Sequence, residues 1–410
     1  MLGKKKLLLF LCAVLLLSTL PACSRNEQSI LLEQLEAEKP YLLHYSPGNP
    51  LDPEAKQTIS HFSQTLFSHL LEEDGKSLVL SPFSAYFSIA MASLGAHEET
   101  RLAFREVLGY EPAALAVSLH DLLSCFKAED HLQLSAALWL SNKFYVADDF
   151  SKWMVSYFHS PVQVHDFLDP AFAEKQASWF SAQNPLFADT SLSTVQGDAQ
   201  GTLLLNTFDF SITWATSISP VTPFANSENL GNTYLQTTPA TLQIGQTETL
   251  EAVLLPLATQ NVGLLLVSPL DPEVSLSEFV ANTSITSILA KLSPTENVAV
   301  SLPQIQQTFS IDLSSALQNM GLEAPFDPQL ANLSGFIKEV EEPVSLLGVL
   351  HATHFQINEV GINKLSHTES ETAPPIFPED VTSLSFQGPF LYILYDFAHN
   401  IPLIMGSFHP

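Results

Sequence analysis

Cysteine is scarce in this chain: three residues in 410, Cys12, Cys23 and Cys125. No disulfide framework can be built from so few. Basic residues are also sparse, with 16 lysines and arginines against 43 aspartates and glutamates and a formal net charge of −27. A surface of that balance repels nucleic acid and anionic lipid head groups. The apolar run Leu7–Leu17 holds eleven residues, too few for a membrane-spanning helix, which needs ~20. Signatures of hydrolytic chemistry are missing as well. There is no Gly-x-Ser-x-Gly nucleophile turn, and His97-Glu98-Glu99-Thr100-Arg101 lacks the second histidine of a zinc-protease helix. His351 and His354, three apart on a strand, face opposite sides and make no ligand pair. Neither an enzyme nor a cofactor or metal is expected.

What is present suits a packed core: 46% hydrophobic, 10% aromatic and only 14% charged. Lys4-Lys5-Lys6 ahead of Leu7–Leu17 has the form of a secretory signal. Leu20-Pro21-Ala22-Cys23 then resembles a bacterial lipobox, which would make Cys23 the lipidated first residue of the mature chain. The alternative is an ordinary cut near Ala22 and a secreted protein. Removing residues 1–22 takes away three lysines and no acids, so −27 becomes −30. Residues 23–55, with Pro40, Pro47, Gly48 and Pro50, read as a tether. The expected organisation is thus 1–22 signal, 23–55 tether and 56–410 folded domain, anchored at a bacterial cell envelope, outer membrane or surface.

Within the domain, Ile59, Phe62, Leu66, Phe67, Leu70 and Leu71 recur at helical spacing over 57–71. Ser81-Pro82 is a helix start, with a capping hydroxyl followed by a proline whose missing N–H costs nothing in the first turn. Further helices are predicted over 101–108, stopped by Gly109, over 151–158, and over 313–320, stopped by Gly321. Strands are predicted over 132–140, 202–210, 264–267, 299–302 and 346–357. Cys125, in the helix-like stretch 122–126, reads as a buried small hydrophobe. Helices dominate the first half and strands the second, which predicts an α+β fold with one large mixed sheet.

Several polar residues lie inside these apolar stretches. Ser81-Pro82-Phe83-Ser84, Asn206, and His351 ten residues ahead of Gly361 are spaced as in the shutter of a serpin, and the resemblance extends over about 350 residues. Ser77 to Ala96, Thr100 and Val107-Leu108-Gly109 resemble the family's second and third helices. Leu138-Trp139-Leu140-Ser141 resembles its next strand and Tyr157-Phe158-His159-Ser160 the helix after it. Asn206 with Trp214 eight residues later is similar to its third-strand motif, although Ser211-Ile212-Thr213 stands where Lys-Gly-Lys is usual. Val300-Ser301-Leu302-Pro303, Leu317–Gly321, Phe326-Asp327 and Leu333-Ser334-Gly335 continue the match. Phe386 to Leu394 and Pro402 to Gly406 resemble the family's C-terminal signature. The resemblance implies a serpin fold with a large central mixed sheet, further sheets, a helical layer and an exposed reactive-centre loop. It also implies a monomer whose partner is a serine or cysteine protease, trapped when the cut loop inserts as a new strand. Ser81, Ser84, Asn206 and His351 would form the shutter, Trp214 the breach, and Glu359, Gly361, Ile362 and Lys364 the hinge. A heparin-type partner would need a basic face, which this composition does not supply.

The loop departs from that pattern. Insertion favours small uncharged residues, and alternation gives two phases. The phase expected from the family buries Ile362, Lys364, Ser366, Thr368 and Ser370; the other buries Asn363, Leu365, His367, Glu369 and Glu371. Each contains a charge, and an unpaired buried charge costs several kcal/mol. The first phase is the milder. Counting from the hinge puts the reactive bond at Pro375–Ile376, with Ile376–Phe377 and Phe377–Pro378 as alternatives. A non-inhibitory binding or structural serpin is the competing expectation.

Overall fold

The computed structural model describes residues 53–71, 75–127, 131–188, 191–221, 233–339, 343–365 and 380–410. Cys23, most of the tether and the bonds from Pro375 to Pro378 lie outside them. The amphipathic stripe of the first helix forms α1 (Pro53–Leu70), with Ile59, Phe62, Leu66 and Phe67 buried. α2 (Pro82–Ser93) is buried along its whole length. Such a helix must be enclosed by other elements, and α2 packs against α1 and against strands of both sheets. Ser81 caps it, its hydroxyl accepting the Ser84 N–H at 3.1 Å. α3 (Glu98–Leu108) ends at Gly109, whose φ of 66° is the left-handed stop that glycine permits. α4 (Pro112–Lys127), α5 (Asp148–Phe158), α6 (Phe172–Gln183), α7 (Leu276–Asn282), α8 (Ile285–Leu289) and α9 (Ser314–Asn319) complete the helices among the described residues. Cys125 on α4 is only partly buried, so it does not serve as the core hydrophobe expected of it.

The strands make two sheets, a large mixed sheet with a further one, as the family resemblance implied. In chain order they are β1 (Val79–Leu80), β2 (Leu132–Ser141), β3 (Gln163–His165), β4 (Gly201–Phe210), β5 (Ile212–Thr213), β6 (Ile218–Val221), β7 (Tyr234–Thr237), β8 (Ala240–Gln246) and β9 (Leu250–Leu257). They continue with β10 (Thr259–Pro269), β11 (Ser293–Pro303), β12 (Ile305–Asp312), β13 (Ser345–Ile357), β14 (Gly361–Ile362), β15 (Thr382–Ser385), β16 (Phe390–Asp396) and β17 (Ile401–Phe408). The ten-stranded sheet runs β1-β17-β16-β10-β9-β8-β11-β7-β6, with β15 also paired to β11. The seven-stranded sheet runs β3-β2-β4-β13-β14-β5, with β12 on β13. It is mixed: β4 and β13 are parallel, whereas β2 runs antiparallel to β4 and β12 antiparallel to β13.

The parallel pair β4–β13 carries the site. Its register sets Asn206 beside His351 and Phe208 beside Thr353. Alternation sends Asn206, Phe208 and Phe210 toward α2, where Phe208 meets the ring of Phe83 edge-on at 6.3 Å. The opposite face is covered too. Leu203, Leu205, Leu350 and Ala352 are buried in an apolar cluster with Trp139, Phe172 and Phe180, the last two from α6. Both faces of the strand pair are therefore closed along this stretch. Either phase of a strand inserted here would meet a covered face, because α6 roofs the second one.

Candidate functional site

Two polar clusters sit on β4 and β13, one on each face. On the α2 face, Ser81, Ser84, Asn206 and His351 are each 0% exposed. The Ser81 backbone N–H donates to His351 Nε2 at 3.1 Å. A backbone nitrogen can only donate, so Nε2 is the acceptor and Nδ1 carries the proton. Nδ1–H then donates to Asn206 Oδ1 at 2.7 Å, which also accepts the Ser84 hydroxyl at 2.9 Å. The Asn206 amide donates to Ser88 Oγ and to the Leu350 carbonyl, each at 3.2 Å. Thr353 Oγ1 lies 2.8 Å from His351 Nε2, and the Ser81 hydroxyl donates to the Leu403 carbonyl at 2.7 Å. Burial depresses the imidazole to about 3, because charging it would cost solvation and would forfeit the Ser81 bond. The cluster is neutral, satisfied, and tied to four elements: α2, β4, β13 and β17. It holds no nucleophile with a base beside an open surface, so its chemistry is cohesive rather than catalytic. The sequence grouping of four is brought together here; Ser88 and Thr353 join it.

The second cluster lies where β13 turns into β14. Trp214, 8% exposed, donates from Nε1 to the Asn358 carbonyl at 2.8 Å and from its backbone N–H to Val360 at 3.2 Å. Asn358 organises the turn: its Oδ1 accepts the N–H groups of Val360 and Gly361 at 2.9 and 3.1 Å, and its amide donates to the Lys364 carbonyl. Gly361 lies between β13 and β5 so tightly that a Cβ there would stand 2.0 Å from the Ile212 carbonyl oxygen. Close backbone approach, not a positive φ, demands this glycine. Ile362 pairs with both Ile357 and Ile212 and is 0% exposed. Glu359 is half-buried beside the turn.

Beyond Ile362 the strand stops. Asn363 takes φ 47°, a left-handed conformation that asparagine tolerates better than most residues. Its side chain bridges to Asp209 on β4 and to β13. Lys364 is half-exposed, and Leu365 is 83% exposed. Asp209 and Asn358 were not among the residues singled out in the sequence, and Asn363 was named only as a member of the second insertion phase. The one signal was a lone carboxylate, Asp209, inside the apolar run of β4.

The family model described as Serpin (serine protease inhibitor) matches residues 57–410. Alpha-1-antiproteinase 2 of Equus caballus is 25% identical over 383 residues, covering 87% of each chain. Corticosteroid-binding globulin of Sus scrofa is 24% identical over 362 residues, covering 84% of this chain and 88% of its own. Among solved structures, the thermophilic serpin tengpin in its native state is similar with a TM-score of 0.75 at 20% identity, over 89% of this chain and 96% of that one.

Proposed function

This chain belongs to the serpin family, and from that membership and the geometry of its hinge we propose that it inhibits a serine or cysteine protease by inserting its cut loop between β4 and β13. The observation that carries the reading is β14. The first two residues of the would-be strand, Gly361 and Ile362, are already paired at the mouth of the β4–β13 seam, with Ile362 buried. Immediately beyond them β4 and β13 are still paired to each other. The polar cluster on the α2 face would act as the shutter, holding that seam closed until a new strand parts it. Trp214 and Asn358 would hold the breach. Extending the β14 register supplies a further support: Thr368 would arrive between Asn206 and His351, where a hydroxyl can replace hydrogen bonds lost as the strands separate.

A second reading, a binding serpin whose loop stays out, is favoured by the same register. It brings Lys364 between Phe210 and Phe355, and Glu369 between Leu205 and Leu350 beneath α6. Both are charges moved into apolar surroundings, each costing several kcal/mol unless paired or neutralised. Corticosteroid-binding globulin among the relatives fits a carrier role of that kind.

Nicking the loop between Lys364 and Phe386 and comparing melting before and after separates the two. A rise of tens of degrees, together with a covalent complex with a trypsin-like or papain-like enzyme, supports inhibition. A clean cut with unchanged melting rejects it. We further propose display at a bacterial envelope through lipidated Cys23. Metabolic labelling with an alkyne fatty acid, retained by the wild type and lost in Cys23→Ala, checks that; equal labelling of the two rejects it.

A further inference from the structure

We propose that Asp209 is a latch that arrests the hinge at Ile362, gripping Asn363, the residue that must move next if the loop is to lengthen β14. This deepens the loop-insertion reading and rests on it.

The grip is built from hydrogen bonds on both strands. Asn363 Nδ2 donates to Asp209 Oδ1 at 2.8 Å and to the His354 carbonyl at 3.2 Å. Its Oδ1 accepts the Gln356 N–H at 2.7 Å, and its own N–H donates to the Gln356 carbonyl at 2.9 Å. Its carbonyl accepts the Ser211 hydroxyl at 3.0 Å. One side chain thus occupies the ladder position that a following strand residue would take, and it fastens β4 to β13 while doing so. Burial holds the Asp209 carboxyl above the usual carboxylate range, and the Asn363 hydrogen bond offsets this only in part. Lys364 adds only a weak electrostatic pull and makes no ion pair with Asp209 within 4 Å. His354, 3% exposed, holds Thr308 Oγ1 through Nδ1 at 2.8 Å, and its Nε2 has no hydrogen-bond partner among the described residues.

Every one of these Asp209 contacts belongs to the arrested state. To continue the strand, Asn363 must leave φ 47° for an extended conformation, which withdraws its amide from the present bridge. The register then sets Leu365, not a polar residue, between Asp209 and His354. Lys364 turns to the opposite face, toward Phe210 and Phe355. A contact made only before the movement raises the barrier to it. Asp209 acts through the hinge and touches no protease atom, so it is a positioning residue.

The test uses the full folded domain as wild type, Asp209→Ala and Asp209→Asn, read by hydrogen exchange and by melting after loop cleavage. In Asp209→Ala, the amides of Gln356 and Asn363 should exchange about tenfold faster, whereas those of Asn206 and Leu350 in the sheet stay as in wild type. The cut variant should reach its high-melting form about tenfold sooner than cut wild type. Asp209→Asn keeps an acceptor for Asn363 but removes the charge, so it should fall between the two. Unchanged exchange at Gln356 and Asn363 in Asp209→Ala overturns the latch whatever the loop does. Faster exchange with no melting gain after cleavage in either protein overturns the insertion reading, and the braking role with it. Unequal folding would show as altered exchange at Asn206 and Leu350, and Asp209→Asn then decides.

Discussion

The same two strands carry a sealed polar cluster on one face and a strung, partly open one on the other. Around His351, every described polar side chain has a partner and none is exposed. Around Asn363, the bonds are as short, but Lys364 and Asn363 are half-exposed and Leu365 is in solvent. The difference lies in the cost of breaking each. Opening the first strands buried donors and acceptors away from water. Opening the second lets water replace most of what is lost. A sheet that must stay shut yet be capable of parting would be built with its tight fastening deep and its loose one at the mouth.

The largest effect expected from the deep cluster is a pH dependence. His351 is near 3 when folded, against an ordinary 6.5. A depressed folded value means that its contribution is whole above about pH 6.5 and is lost as pH falls toward 3, because the unfolded chain takes up the proton first. The full span corresponds to on the order of 5 kcal/mol. Urea unfolding at pH 7 and pH 4 should therefore show a steeper fall for wild type than for His351→Gln, which cannot titrate. Parallel slopes for the two would remove His351 as a source.

Next in size is Asn206→Ala. It orphans His351 Nδ1–H and takes away one acceptor of the Ser84 hydroxyl, and should cost roughly 2–4 kcal/mol in the denaturation midpoint. A loss under 1 kcal/mol would mean that water enters and the cluster is less sealed than its burial implies. Gly361→Ala should be milder globally, about 1–2 kcal/mol, since the clash with the Ile212 carbonyl can be relieved by releasing β14 alone. Hydrogen exchange would then rise at Ile362 and Trp214 without rising at Asn206. Exchange rising equally at all three would show the mouth and the depth to be one unit.

Much of this was legible in the sequence, for reasons that separate the two clusters. The α+β class follows from the order of helices and strands, and the core-facing direction of His351 from alternation through Thr353, Phe355 and Ile357, all 0% exposed. Serines, asparagine and histidine inside apolar stretches announce a buried network, because such groups must find partners. The second cluster gives no such pattern. Asp209 and Asn363 are 154 positions apart, and Asn363 works through a backbone conformation that composition does not encode. The roof of α6 over Leu205 and Leu350 was equally hidden. Strand alternation says which residues share a face, but not whether another element covers it.

The smallest native-state effect should come from Lys364→Thr, and it divides the comparison most sharply. In the uncut protein Lys364 is half-exposed and makes no ion pair within 4 Å among the described residues. Its removal should shift stability by less than about 0.5 kcal/mol. After cleavage the register would move position 364 between Phe210 and Phe355, where an ammonium must be stripped of water or lost as a charge. Threonine meets no such penalty. Cut Lys364→Thr should therefore melt well above cut wild type even though the intact proteins melt together. Equal melting of the cut forms would leave two states of the wild-type loop to distinguish: fully inserted, with Lys364 reaching water along its stem, or not inserted at all. The gain of cut wild type over intact wild type tells these apart, because only an inserted strand adds a row of backbone hydrogen bonds to the seven-stranded sheet.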